Sequence, residues 1–275
     1  NPGAVCGQTQ IGGVTRYSYA RGTSFAAPAV SGAIALKGKQ FKDGTPLIFP
    51  EAAASGIEPH PTLLKAALVA TAQSLGPRNP LTGLIDCTAG NCRPSHEYGW
   101  GLVDLDRLTD RNTGVYVHNA KHAFTAAGQS WVSPFLEAWD PAKEVLIALV
   151  WHDVPPDGAL GFQTLRRDLD LKILVPRIGA DGQDWYQGNN MEENTIFIDS
   201  GYSYNLPNAS ALKRDGRNNV EVIFLKPNTL SQNQEFRITV TTFAYVPNQP
   251  AVDQVFSIYV WNARCWDNSV VYQCD

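Results

Sequence analysis

The residues best placed to do chemistry lie near the start of the chain. In Arg21-Gly-Thr-Ser-Phe-Ala-Ala-Pro-Ala-Val-Ser-Gly, Ser24 stands at the mouth of a small-residue helix. A helix N-terminus presents unpaired backbone N–H groups and a positive dipole end, which stabilise the oxyanion formed when a hydroxyl attacks a carbonyl. Ser24 is positioned to be that hydroxyl. Pro28 is read within the first turn or so, where its missing N–H costs no hydrogen bond, and Ala26, Ala27, Ala29, Gly32 and Ala33 let neighbouring backbone approach closely. A helix of this composition is expected to be buried. The blander reading is that Ser24 only caps it.

A second group of charged residues lies far downstream. Asp168 and Asp170 alternate with Leu169 and Leu171, so a strand would point both carboxylates to one face. Two such neighbours repel, and a hard cation with oxygen ligands, most naturally calcium, would relieve them and could recruit Asn189 or Asn219. The alternative is pairing with Arg166, Arg167 or solvent. The five histidines, His60, His96, His118, His122 and His152, read as surface or structural side chains. Cys87 with Cys92 and Cys265 with Cys274 lie close enough for local disulfides in polar, loop-like sequence. These point to an oxidising, secreted or extracytoplasmic setting, the alternative being free buried thiols. Cys6 is left as a free thiol or the partner of a cysteine on another polypeptide.

The elements that must carry these residues change character near residue 112. Before it, Phe25–Leu36 and Pro61–Leu75 show small and apolar residues at helical spacing. After it, strand-like runs recur between turn formers: Val115–His118, Val145–Trp151, Leu169–Val175, Thr195–Ile198, Val220–Leu225, Phe236–Ala244 and Val255–Trp261. The spacing predicts a sandwich or barrel, hence two parts, residues 1–112 and 113–275. Trp185, Tyr186 and Trp266 invite a carbohydrate-platform reading, with core packing the simpler use of their rings.

Composition removes several classes of function. With 22 Lys+Arg against 26 Asp+Glu, the net charge of −4 gives no general attraction to nucleic acid or an anionic membrane. The longest apolar run, Val145 to Trp151, is far short of the ~20 residues that span a bilayer. At 275 residues and 44% hydrophobic composition, the chain can bury a substantial core. The sequence opens on Asn1 with no targeting segment, so a processed chain or a fragment is expected.

Gly22-Thr23-Ser24, followed by Pro28, Val30 and Gly32, resembles the catalytic-serine signature of the subtilisin-like serine proteases, the subtilases of peptidase family S8. Pro2-Gly3, the aromatic lead-in Tyr17 to Tyr19, the Pro61 to Ala72 helix ending in Thr-Ala, and Tyr98-Gly-Trp-Gly-Leu-Val-Asp are similar to further family segments. The resemblance implies that residues 1 to about 110 are the last third of an α/β subtilase catalytic domain. It also implies peptide hydrolysis through an acyl-enzyme on Ser24, whose backbone N–H would share the oxyanion hole with an asparagine side chain. Subtilases carry aspartate, histidine and serine in that chain order, yet the 23 residues before Ser24 contain neither Asp nor His. None of the five histidines stands in the family's His-Gly-Thr context.

The chain alone is therefore expected to be inactive, and an N-terminal fragment of the same protease, carrying the Asp and His, is the expected partner beside a peptide or protein substrate. One account is cleavage in a surface loop before Pro2, with the fragments held by a shared core and by Cys6. The others are omission of the N-terminal part and a catalytically dead relative. Phe25 stands where many subtilases have an oxidisable Met, which implies tolerance of peroxide in an assembled enzyme.

Residues from about 115 onward resemble, more loosely, the β-sandwich that follows the catalytic domain in some bacterial alkaline subtilases and the P domain of kexin-type proteases. The likeness rests on Leu149-Val-Trp-His-Asp-Val-Pro, Asp168-Leu-Asp-Leu-Lys-Ile, Tyr186-Gln-Gly-Asn-Asn and Asn218-Asn-Val-Glu-Val. It implies an all-β jelly-roll sandwich of eight or nine strands, and the calcium sites common in related subtilases add to the expectation of calcium at Asp168 and Asp170. The rival from another class is a noncatalytic binding module attached to a dead protease remnant.

Overall fold

The computed structural model describes residues 8–11, 14–18, 22–44, 48–49, 56–74, 93–94, 99–154, 165–176, 183–194, 198–205, 214–245 and 253–266. The first part carries β1 (Gln8–Ile11), β2 (Val14–Ser18), α1 (Thr23–Asp43), β3 (Ile48–Phe49), α2 (Pro61–Thr71) and α3 (Leu105–Leu108). Strands follow: β4 (Val115–Phe124), β5 (Ser130–Val132), β6 (Leu136–Ala138), β7 (Val145–Trp151), β8 (Arg167–Pro176) and β9 (Gln183–Gln187). The last are β10 (Met191–Asn194), β11 (Ile198–Ser203), β12 (Val220–Leu225), β13 (Glu235–Tyr245), β14 (Gln254–Trp261) and β15 (Ala263–Cys265). No helix among the described residues is long and apolar enough to cross a membrane.

Two larger sheets form the body. The first has strand order β12-β7-β14-β4-β3, antiparallel except where β3 joins β4 in parallel. The second runs β15-β6-β13-β8-β9, with β5 also pairing β13. Alternation along β7 shows how the layers stack. Val145, Ile147, Leu149 and Trp151 face the core shared with the second sheet, while Leu146, Ala148 and Val150 face a separate core under the helices. A strand covered on both faces must be apolar at every position, which is why Val145–Trp151 is one unbroken run.

The helix layer is held by α2. Pro61 opens it at a position whose N–H would go unpaired anyway, and the His60 side chain accepts from the Thr62 N–H at 3.3 Å. Leu63, Ala66, Ala67 and Ala70 are buried against the sheet, where the small alanines allow close approach. Further along, Arg93 donates to the Ala72 carbonyl, bonds Glu144 at 3.2 Å and lies over the Phe224 ring. Arg107 takes the other oxygen of Glu144 at 2.7 Å. This network ties the helical part to β7 and β12. Gly101, at φ 120°, could not carry a side chain, because a Cβ there would lie 2.1 Å from the Gln73 carbonyl oxygen. That close approach lets Leu102 and Gln73 exchange two backbone hydrogen bonds of 2.8 and 2.9 Å.

Only the C-terminal half of α1 joins this core. Ala33, Lys37, Gln40 and Phe41 are buried, and Gln40 donates to the carbonyls of Thr109 and Asp110. The Lys37 amine, 2% exposed, bonds the Gln40 side chain at 2.9 Å and sits between the rings of Phe41 and Tyr259. Burial pulls its pKa from 10.5 down to about 7, against the smaller opposing pull of Asp110. Between those pH values the unfolded chain binds the proton that the folded chain releases, so this group makes stability rise with pH. Chemical denaturation from pH 7 to 10 is expected to show that rise, on the order of 3 kcal/mol, in the native chain and a much flatter profile in Lys37→Met.

Candidate active site

Gly22 sets the entry to α1. Its φ of 149° and ψ of 156° are open to glycine, and its carbonyl accepts from the N–H groups of Phe25 and Ala26 at 3.0 and 3.2 Å. No side chain caps the helix, so Ser24 is not the cap. Among the described residues nothing bonds the Ser24 hydroxyl or its N–H, and the residue is exposed. The helix thus presents a free hydroxyl beside free backbone donors, the arrangement that oxyanion chemistry uses.

Two expectations for this helix need correction. Pro28 lies inside α1 rather than in its opening turn, so its missing N–H leaves the Ser24 carbonyl without an i+4 donor. The N-terminal half is also exposed from Thr23 through Ala29, with Phe25 at 59%. A face of Phe and Ala therefore meets solvent, continued toward the C-terminus by exposed Leu36. Near that end a groove of about 500 Å³ runs past Ile34, Ala35, Gly38, Pro59 and Leu64.

None of the described histidines reaches Ser24. His60 bonds Thr62, His118 stacks on Phe256 with ring centroids 4.8 Å apart, His122 packs edge-on against Phe124, and His152 faces His60. Burial, reinforced by His122 and Lys121, lowers the His118 pKa to about 4 and keeps its ring neutral at physiological pH. His96, Asn1 and four of the five cysteines lie outside the described residues. The fifth, Cys265, is disulfide-bonded. Trp185 and Trp266 are half-buried and Tyr186 is buried in the core between the sheets.

Residues 5–101 match the Subtilase family. The matched stretch contains Ser24, α1, α2 and the Gly99-Trp100-Gly101 closing segment, and it supports a subtilisin-like protease fragment in this part of the chain. No curated protein matches the chain.

The carboxylate pair lies well away from the subtilase-like stretch in sequence, on β8. Asp168 and Asp170 share one face of the strand, as their alternation predicts, but the charge facing them comes from Arg214. Its guanidinium donates to Asp168 and to both oxygens of Asp170, the latter at 2.8 and 3.1 Å, and stacks on the exposed ring of Phe243. The backbone N–H groups of Arg166 and Arg167 are held by Asp153. Arg214 therefore places a positive charge beside the pair at which calcium is expected. The asparagines are also engaged. Asn189 brackets Val222, accepting from its N–H and donating to its carbonyl, and Asn219 donates to the Trp151 carbonyl. Among the described residues no group of three or more His, Cys, Asp or Glu side chains is arranged to hold a metal ion.

Glu221 was missed from sequence. Fully buried on β12, it accepts the Leu171 N–H at 2.6 Å, just where β9 ends and Gly188 turns away. A Cβ on Gly188 would collide with this carboxylate. Burial raises the Glu221 pKa well above the usual range, and the charges of Asp170, Asp215 and Asp168 push it the same way. The readable signal was a lone charge in the apolar run Val220-Glu-Val-Ile-Phe-Leu.

Burial first, then Asp170, raises the Asp168 pKa to about 6, in spite of Arg214. The stability contributed by this carboxyl is present below its ordinary pKa of 3.8 and is lost as pH rises toward 6. Arg214→Ala is expected to destabilise by about 3 kcal/mol at pH 7, where two nearly buried carboxylates would stand uncompensated. Denaturation at pH 5 should show a smaller deficit, because Asp168 is then largely protonated.

Proposed function

We propose that the chain supplies the nucleophile of a subtilisin-like serine endopeptidase whose aspartate and histidine come from an N-terminal fragment of the same protease. The observation that carries this reading is the unengaged hydroxyl and N–H of Ser24 at the exposed start of a small-residue helix, inside the stretch that matches the Subtilase family. The uncovered face of α1 gives the partner somewhere to bind. Phe25 and Leu36 are exposed on a helix whose alanines and Gly32 would let another backbone approach.

In the reaction, the partner's histidine takes the Ser24 hydroxyl proton as Oγ attacks the scissile carbonyl carbon. The oxyanion is met by the Ser24 N–H and an asparagine side chain supplied with the partner. Collapse of the tetrahedral adduct breaks the C–N bond, and the histidine returns the proton to the departing amine. Water then attacks the Ser24 ester with the same histidine as base, releasing the acid and restoring the hydroxyl. In this reading the two-sheet part is a P-domain-like jelly roll that supports the catalytic part. The disulfide at Cys265 favours a secreted or extracytoplasmic setting.

A fluorophosphonate probe tests the proposal. The lone chain is expected to remain unlabelled. Protein in which it co-purifies with the Asp- and His-bearing polypeptide is expected to label at Ser24, and Ser24→Ala should abolish labelling. An assembled pair that stays unlabelled would overturn the reading in favour of a noncatalytic module. In an active assembly, Phe25→Met is expected to lose most of its activity in mild peroxide while the native enzyme retains it.

A further inference from the structure

We propose that His60 and His152 form a binding site for a divalent transition-metal ion of the zinc, copper and nickel class, set across the junction between the helix layer and the first sheet. The inference is independent of Ser24. The two imidazoles come from opposite sides of that junction, His60 from the cap of α2 and His152 from the residue after β7, and their ring centroids are 6.2 Å apart. With metal–nitrogen bonds of about 2.0–2.1 Å, two imidazoles on one ion place their centroids roughly 5–6.5 Å apart, depending on the angle at the metal. The observed separation therefore needs only rotation of the exposed His152 ring to converge on a shared ion.

The surroundings hold His60 in place as outer partners hold a metal ligand. Its backbone N–H donates to the Asn119 side chain at 2.7 Å, and the same amide donates to the Glu58 carbonyl at 2.8 Å. Asn119 sits where β4 bulges against β14, beside Ala120 at φ 53°. On the ring, Nδ1 lies 2.6 Å from Thr62 Oγ1, which lies 2.7 Å from Ser257 Oγ, and both hydroxyl residues are buried. In the metal-free chain Nδ1 accepts the Thr62 N–H and the ring proton sits on Nε2; moving that proton to Nδ1, where Thr62 Oγ1 accepts it and Thr62 donates on to Ser257, gives up the cap bond and frees the Nε2 lone pair for a metal. A fixed acceptor behind the ring is the usual way a ligating histidine is oriented. Imidazole suits zinc, copper and nickel better than calcium or magnesium, and water would complete the coordination.

Titration of the full chain with Zn²⁺, its cysteines kept oxidised, tests the assignment by calorimetry and by the thermal midpoint. One ion per chain is expected, with a midpoint that rises with metal concentration. His152→Gln is the decisive variant, since His152 is exposed and makes no helix cap; it should bind at least ~10-fold more weakly and lose the midpoint response. Thr62→Val should weaken binding by ~10-fold through ring orientation, whereas His122→Gln should bind as the native chain does. Equal binding by His152→Gln and the native chain would mean an adventitious ion only and would overturn the site, as would the absence of any saturable binding.

Discussion

The first sheet is buried on both faces, and the rest of the architecture follows from that. One face meets the second sheet across a core that includes Trp151, Phe256 and Ile173; the other meets α2, whose alanines lie against Val117, Ala148 and Tyr259. A sheet apolar on both sides cannot leave either face to water without exposing a patch of several hundred Å². The helices are thus part of what makes β7 and β14 stable where they are. Conversely, α2 is 11 residues long, marginal as an isolated helix, and depends on the sheet it covers.

A second constraint acts at the strand ends, where backbone groups need partners that another strand does not supply. There the looser motifs of the β part come together. Asn189 takes the place of a neighbouring strand for Val222, Glu221 does so for Leu171 across the gap between the sheets, and Asp153 collects the N–H groups leading into β8. Trp151 adds an indole bond of 2.9 Å to the Arg167 carbonyl. These residues fasten one sheet to the other at one end. Their cost is a set of carboxylates in low dielectric, which Arg214 compensates only in part, so Asp168 and Glu221 both titrate above their ordinary range.

The same physics explains what could be read from sequence. Strands β7 and β12 fall where the apolar runs predict, because two-sided burial leaves no polar residue to blur their ends, Glu221 excepted. Strand β4 continues past His118 to Phe124 because the bulge beyond Asn119 breaks the alternation without ending the pairing. Helix α1 runs on to Asp43 because Lys37 and Gln40 are buried polar residues that look like a solvent face. Short β5, β6 and β15 have too few residues to show a period. At the sites, Ser24 was legible because its signature is contiguous. Arg214 was not, because its carboxylate partners lie 44 and 46 residues away and nothing local records the pairing.

Helix α1 joins the two halves of the functional reading. Its anchors, Ala33, Lys37, Gln40 and Phe41, begin nine residues beyond Ser24, roughly 13 Å along the axis at 1.5 Å per residue. Over that distance Ser24 is carried at the free end of a lever. Pro28 removes one of the hydrogen bonds that would stiffen it, and Ala26, Ala27 and Ala29 offer little side-chain volume for contact. Displacements of about 1 Å are enough to disturb acyl transfer. Among the described residues, a helix whose first buried side chain is Ala33 does not by itself meet that tolerance. Under the proposed function, the surface that brings a base to Ser24 would also have to clamp the first turns of α1, and the exposed Phe25 and the alanines are the contact area available for doing so.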